Sequence, residues 1–385
     1  MKTVIVIDSF KGSLTSMEAG NAARVGILKA DPEAEVVVKP LADGGEGTVE
    51  ALVTGMGGKM RSAVVTGPLG SPVRCEYGIL PGNNTAIIEM SGAAGITLIP
   101  KEKRNPLKTT TYGVGEVIKD ALENGCRRFI IGIGGSATND GGTGMLKALG
   151  YEFMDADGKE IPLGAEGLAN LSAIDDRNAL PELADSKFQI ACDVTNPLCG
   201  ERGCSAIFGP QKGATVEMIA DMDRWLENYA KLCKIKYQDA DEEWPGTGAA
   251  GGLGFAFRTF LNAKLESGIQ LILKETRLEE EIRTADLVIT GEGRLDAQTA
   301  MGKAPIGVAR LAKKYDKTVI ALAGSVTAEA GVCNENGIDA FFSILRRIQT
   351  QEEAMEKENA EANLAAAAEQ VYRLVHTKFT FPAQK

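Results

Sequence analysis

Residues 132–144 read GIGGSATNDGGTG, six glycines gathered around Ser136, two threonines, Asn139 and Asp140. A glycine held in regular structure costs roughly 0.5–1 kcal/mol relative to alanine. Six together argue against an ordinary helix or strand. Two readings remain: a long surface turn, or a loop whose bare backbone approaches a ligand. The stretch follows the apolar run RRFIIGIGG and precedes TGMLKALG. A glycine turn between a strand and a helix N-terminus exposes successive N–H groups that attract an anion. Gly134, Gly135 and Ser136 are the candidate donors, with Asp140 beside them.

Other strand ends carry polar residues of the same kind. DSFKGS supplies Asp8, Ser9, Lys11 and Ser13; ADGGEGT supplies Asp43 and Glu46; TGEGRLDAQT supplies Glu292, Arg294 and Asp296. In open α/β sheets ligands sit beyond the carboxyl ends of strands, so four polar ends predict one functional rim. Lys11, Lys212, Arg294 and Lys303 all lie in glycine-flanked segments, where the backbone can turn a cation inward. Magnesium is held by carboxylates and water. Asp193, at the end of the apolar strand FQIACDV, could orient or deprotonate a hydroxyl; its local sequence fits an Asx turn before TNP equally well.

Several chemistries are absent. The one histidine, His376, follows the helical run VYRLV near the C-terminus and reads as a helix-end residue, which argues against Ser–His–Asp hydrolysis and His-based zinc catalysis. No G-x-x-x-x-G-K-[ST] loop occurs. GTGAAG at 246–251 matches G-x-G-x-x-G but follows DADEEWP, which is no strand, so a dinucleotide fold is disfavoured. The net charge of −10 argues against broad nucleic-acid binding. Seven cysteines without a C-x-x-C pair read as free thiols rather than a disulfide or zinc framework. The apolar run in MKTVIVIDSF is too short for a signal peptide or a membrane span, so a soluble cytoplasmic protein is expected, with no membrane partner.

The elements that must position these residues follow a β-α rhythm. TVIVID, AEVVVKPLA, RRFIIGIGG, TADLVITGEG, KTVIALAGS and AFFSIL predict six strands of a doubly wound parallel sheet with interleaved helices. Two regions break the rhythm. Residues 63–105 alternate short β-like runs with Gly/Pro/Asn turns, and 150–281 hold one clear strand among helices and glycine-rich pieces. The expected division is an α/β domain of residues 1–62, 106–149 and 282–385, with a second, smaller α/β domain inserted from 63–105 and 150–281.

Taken in order, DSFKGSLTS, PLADGGEGT, GPLGSPV, RNPLKTTTYGVGEVI, IGIGGSATNDGGTGM, ALGYEF, ACDVTNPLCG, FGPQKGA, PGTGAAGGLG, ADLVITGEGRLDAQT and GKAPIGVA resemble the bacterial glycerate kinase type-1 family from Asp8 to about Phe342. The resemblance implies a flavodoxin-like domain with a second α/β domain inserted and the active site between them. It also implies ATP- and Mg²⁺-dependent phosphorylation of D-glycerate. The 2-phospho product is favoured, with the 3-phospho product and another small hydroxy acid as alternatives. A homodimer is left open. In the expected mechanism Gly134, Gly135, Ser136 and Asp140 hold nucleotide with Lys303, and Lys11 acts at the phosphates. Glu292, Asp296 and Asp43 hold Mg²⁺. Asp193 orients the substrate hydroxyl, Ser9 contacts the substrate, and Arg294 or Lys212 pairs with its carboxylate.

Overall fold

A computed structural model describes residues 1–42, 47–82 and 84–377; Asp43 and Glu46 lie outside the described residues. The chain opens with strands β1 (Lys2–Ile7) and β2 (Glu35–Val38). It then leaves for a long excursion through β3 (Lys59–Thr66), β4 (Pro72–Leu80), β5 (Thr85–Glu89), β6 (Arg128–Gly132), β7 (Glu152–Met154), β8 (Ala173–Asp175), β9 (Lys187–Ala191) and β10 (Lys264–Glu266). It returns for β11 (Leu287–Leu295), β12 (Thr318–Val326) and β13 (Ala340–Ser343). Two compact units result: Met1–Asp43 with Ile272–Lys385, and Gly44–Leu271.

The first unit holds a parallel sheet in the order β13-β12-β11-β1-β2. Numbered within this unit, that is the 2-1-3-4-5 order of flavodoxin-like folds. Val4, Ile5, Val6 and Ile7 are all fully buried, as expected of a strand covered on both faces. The helix Ser16–Ala30 starts in a capping box: Thr15 Oγ1 accepts from Glu18 N, and Thr15 N donates to Glu18 Oε2 at 2.9 Å. Its Ala19, Ala23 and Ile27 join Leu364, Ala368 and Tyr372 of the helix Lys357–His376 in one apolar cluster over the sheet. His376 ends that last helix, exposed and stacked on Tyr372 at 4.5 Å.

The inserted unit has a sheet in the order β10-β9-β6-β5-β4-β3, in which β5, β6, β9 and β10 run parallel and β3 and β4 are antiparallel. Phe129 of β6 stacks on Phe188 of β9 at 4.7 Å between ring centroids, and Ile88, Ile131, Ile190, Val117 and Phe257 fill the surrounding core.

The expected domain boundaries are corrected here. Strand RRFIIG belongs to the inserted sheet, so the flavodoxin-like sheet has five strands among the described residues, and residues 106–149 move to the other unit. The helix Thr48–Met56 packs against β4 and β5 and moves with them. The inserted unit is consequently the longer of the two, not the smaller. A uniformly apolar run such as FIIG is suited to any buried parallel strand, and nothing in it names a partner. The partner is chosen by the crossover through the helix Tyr112–Glu123 from β5, a strand inside residues 63–105, where the rhythm had looked broken. All seven cysteines are free, and all but Cys192 are buried. Among the described residues no helix is long and apolar enough to cross a membrane.

Candidate functional site

The polar strand ends are divided between two sheets, so the single rim expected from the sequence is replaced by one candidate region in each unit. In the first unit the chain reverses its direction of sheet growth between β1 and β11, and crevices for ligands form at such switch points. Ile7 is in register with Gly291, and Asp8 N donates to Gly291 O at 2.8 Å. Asp8–Lys11 therefore leave the sheet beside Glu292–Arg294, which continue β11 against β12 beyond the end of β1. Phe10 is buried and exchanges backbone bonds with Leu14 (2.8 and 3.0 Å). That tight turn presents Lys11 to solvent, and Ser9 N donates to Asp8 Oδ1 at 2.7 Å.

Glu292 is 8% exposed; its Oε1 accepts from Thr299 Oγ1 at 2.6 Å and its Oε2 lies 3.9 Å from Lys303 Nζ. Asp296 caps the short helix Ala297–Ala300 by accepting from Gln298 N (2.9 Å) and Thr299 N (3.3 Å). Arg294 is exposed, with Nε 3.5 Å from Asp296 Oδ2, a solvent-facing pair of small energetic weight. Thus Glu292, Lys303, Asp296 and Arg294 are brought together around one turn. Among the described residues no three His, Cys, Asp or Glu side chains cluster as a metal cage. A magnesium ion in a phosphoryl-transfer site asks for less, since one or two carboxylates with phosphates and water suffice. Glu292 and Asp296 meet that requirement.

In the inserted unit, the ends of four parallel strands form one row in register: Glu89, Gly132, Ala191 and Glu266. Gly134 lies two residues beyond Gly132 and Asp193 two residues beyond Ala191, so both emerge at matching positions on adjacent strands. Gly135 adopts φ +72°, a left-handed conformation suited to glycine. Its carbonyl accepts from Ile96 N at 2.8 Å, and Ala137 N donates to Ala94 O at 2.9 Å. This bridge fixes the loop's course. Gly134 and Gly135 stay exposed, and among the described residues the amides of Gly134, Gly135 and Ser136 donate to no protein acceptor. Successive unpaired amides of this kind make an anion cradle.

Asp193, expected at the end of the apolar strand FQIACDV, lies two residues beyond β9 and is exposed. Its Oδ1 accepts from Ser267 Oγ (2.9 Å) and Gly268 N (3.0 Å), at the start of the helix Gly268–Glu275. Two other assignments are corrected by burial. Asp140 is fully buried and faces inward, where Oδ2 accepts from Thr111 N (2.8 Å) and Thr111 Oγ1 (2.9 Å) and Oδ1 from Gly142 N (3.1 Å). Burial raises its pKa, opposed by those bonds. It pins the loop and does not face a nucleotide. Lys212 is 2% exposed and donates Nζ to Thr138 O at 2.6 Å. It is therefore not placed to receive a substrate carboxylate.

Burial lowers the Lys212 pKa from 10.5 to about 8. Its titratable neighbours are Asp140 and Cys204, the latter pushed up to about 11 by burial. Between about pH 8 and 10.5 the unfolded chain then binds this proton more tightly than the folded one, so this group's contribution to stability rises with pH. Comparing denaturation of the wild type with Lys212→Met should show the wild type gaining on the order of 2–3 kcal/mol across that window. A pH-independent difference would refute the burial argument.

Sequence reading missed Glu89 and Thr111. Glu89 Oε1 accepts from Val49 N at 2.9 Å, at the first turn of the helix Thr48–Met56. The strand end IIEMS resembles the polar ends that were recognised, and it lay among the short β-like runs of residues 63–105, where the β-α rhythm breaks. A cleft of about 820 Å³ in the same unit is lined by Tyr112, Lys147, Tyr151, Glu152, Glu160 and Asn178. None of the candidate residues lines it, so its volume does not mark the chemistry.

A family model, the glycerate kinase family, matches residues 3–376. The chain is 51% identical to glycerate 2-kinase of Escherichia coli strain K12, over 92% of this chain and 93% of that one. It is 47% identical to a glycerate kinase of Haemophilus influenzae, over 98% and 100% respectively. The crystal structure of a protein assigned as glycerate kinase 2 from Salmonella typhimurium LT2 superposes with a TM-score of 0.90 at 46% identity, covering 97% of this chain and 98% of that one. With a parallel-sheet kinase architecture and near-complete coverage in agreement, the chain belongs to the glycerate kinase family.

Proposed function

We propose that this protein transfers the γ-phosphoryl group of ATP to the 2-hydroxyl of D-glycerate, releasing ADP and 2-phosphoglycerate. The bond from the γ-phosphorus to the β,γ-bridging oxygen breaks, a bond to the glycerate oxygen forms, and the hydroxyl proton passes to Asp193 and then to water. The observation that carries this reading is the pairing of β6 with β9, which sends the unpaired amides of Gly134 and Gly135 and the carboxylate of Asp193 off adjacent strands at equal height. Amides suit phosphate oxygens, and an exposed carboxylate suits a hydroxyl proton. The E. coli relative is named a 2-kinase, which favours that product.

Lys11 and Lys303 serve the phosphate charge, while Ser9 and Arg294 serve the substrate. Glu292 and Asp296 would hold Mg²⁺, which would supply charge neutralisation at the phosphates. In phosphoryl transfer such positioning and neutralisation supply most of the catalysis.

The test is to incubate the protein with MgATP and D-glycerate and read the product by ³¹P NMR. Phosphate on the 2-oxygen couples to one carbon-bound proton and appears as a doublet; phosphate on the 3-oxygen couples to a methylene pair. A triplet-like signal would replace the 2-kinase reading with the 3-kinase one, and no ADP release would remove both. A second test addresses the loop. A Cβ built on Gly134 meets no atom within 4 Å, so Gly134→Ala should leave Tm unchanged. The new methyl stands among the amides that would meet phosphate, and KM for ATP should rise at least about tenfold, the equivalent of roughly 1.4 kcal/mol. An unchanged KM would move the nucleotide elsewhere.

A further inference from the structure

The exposed edge of the glycine-rich loop is set by what grips its inner edge. Three of its carbonyls are captured in succession: Gly135 O by Ile96 N at 2.8 Å, Ala137 O by Thr109 Oγ1 at 2.9 Å, and Thr138 O by Lys212 Nζ at 2.6 Å. In a planar trans peptide the carbonyl and the following N–H point in opposite directions. Each captured carbonyl therefore aims the next amide away from the capturing group: the first capture orients the cradle amide of Ser136, and the other two fix the fully buried Thr138 and Asn139 behind it. The first two captures use a neutral amide and a hydroxyl. The third uses a charged ammonium, buried to 2% exposure, which the turn Pro210–Lys212 inserts from far along the chain.

A lysine buried without a carboxylate in its hydrogen-bonding shell is costly, and a buried loop carbonyl could be satisfied by an uncharged group. Its neighbourhood is also unusual. Thr138 Oγ1 and Asn139 Oδ1 are buried without a hydrogen-bond partner, whereas Asn139 Nδ2 donates to Ser205 Oγ at 2.9 Å. Thr138 O also stands where any side chain on Gly251 would sit, 2.1 Å from its Cβ. The bare Gly251 thus leaves room for the carbonyl, whose side-chain donor is Lys212 Nζ.

We infer that Lys212 is a positioning residue for the phosphate-binding loop: its bond to the Thr138 carbonyl anchors the buried second half of the loop, two residues beyond the Gly134, Gly135 and Ser136 amides proposed to meet the nucleotide, and so holds those amides in place. This rests on the proposal that the loop holds ATP phosphates, and the experiment separates the two ideas. Wild type, Lys212→Met and Lys212→Arg are compared as purified full-length proteins. The first readout, without nucleotide, is hydrogen exchange at the loop's protected amides, Ala137, Gly141 and Gly142, which donate to Ala94 O, Gly251 O and Asp140 Oδ1. Exchange is expected to accelerate at least tenfold in Lys212→Met and to return to within threefold of wild type in Lys212→Arg, which keeps a cationic donor.

The second readout is steady-state kinetics. KM for ATP is expected to rise at least tenfold in Lys212→Met, with KM for D-glycerate within twofold and partial rescue in Lys212→Arg. Unaltered exchange in Lys212→Met overturns the inference whatever the loop binds. Accelerated exchange with an unaltered ATP KM instead overturns the loop's assignment to nucleotide. Exchange accelerated evenly across the whole protein rather than in the loop, with kcat falling in step with the folded fraction, reduces Lys212 to a structural residue and overturns the inference. Should Lys212→Met fail to fold, Lys212→Arg carries the test, because its wider planar head must shift the Thr138 carbonyl and raise ATP KM by a smaller factor; an ATP KM equal to wild type in that variant counts against positioning.

Discussion

Replacing Asp193 by asparagine should lower kcat by about two to four orders of magnitude, the range associated with a positioned general base, while both KM values change less than about threefold. Asparagine keeps an oxygen that can accept from Ser267 Oγ and Gly268 N, the two donors now on Asp193 Oδ1 at 2.9 and 3.0 Å. The helix start at Gly268 is thereby preserved and the change isolates the negative charge. Asp193→Ala is the complementary control. It removes the cap as well, at about 0.5–2 kcal/mol of stability, so thermal unfolding distinguishes the two roles. A purely structural Asp193 would give Asp193→Asn with near-normal turnover and Asp193→Ala with only a lowered Tm. That pair of results would remove Asp193 from the chemistry.

A large stability effect is expected at Gly251→Ala. Gly251 has φ +69°, yet its neighbour Ala250 holds φ +53°, so the left-handed backbone alone costs only about 1–2 kcal/mol. Contact decides the outcome. A Cβ on Gly251 would lie 2.1 Å from Thr138 O and 2.6 Å from Asn139 Cα, both backbone atoms of the glycine-rich loop. Relief requires the two segments to separate, and Gly141 N donates to Gly251 O at 2.9 Å across that same junction. The combined loss should reach about 3–5 kcal/mol, a drop on the order of 10 °C in Tm by calorimetry. ATP-dependent turnover should fall with it. A Tm within a degree or two of wild type would mean the loop yields freely, contrary to its close packing. The contrast with Gly134→Ala, sited where a Cβ meets nothing, separates glycines that pack from a glycine that leaves room.

Much of the candidate site was legible because its signals are local. Six glycines after an apolar run mark an exposed turn, and polar residues at strand ends mark the rim of a parallel sheet; both follow from backbone freedom and strand direction alone. The motif order pointed to the family from Asp8 to about Phe342, and the family model matches residues 3–376. Asp140 and Lys212 were misread for a shared reason. Whether a charged side chain faces a ligand or the interior depends on what covers it, and Thr111 reaches Asp140, and Thr138 reaches Lys212, from segments remote in sequence.

By itself the sequence determined the strand-and-helix rhythm, the glycine-rich loop, the unsuitability of histidine chemistry and the family. Only the tertiary structure decided which sheet RRFIIG joins, that the inserted unit is the longer one, and that Asp193 is exposed while Lys212 is sealed beneath the loop. The physical reason is that an apolar strand states its burial but not its neighbour. A buried charge, likewise, is tolerated only where distant segments converge to satisfy it, and convergence is a property of the fold.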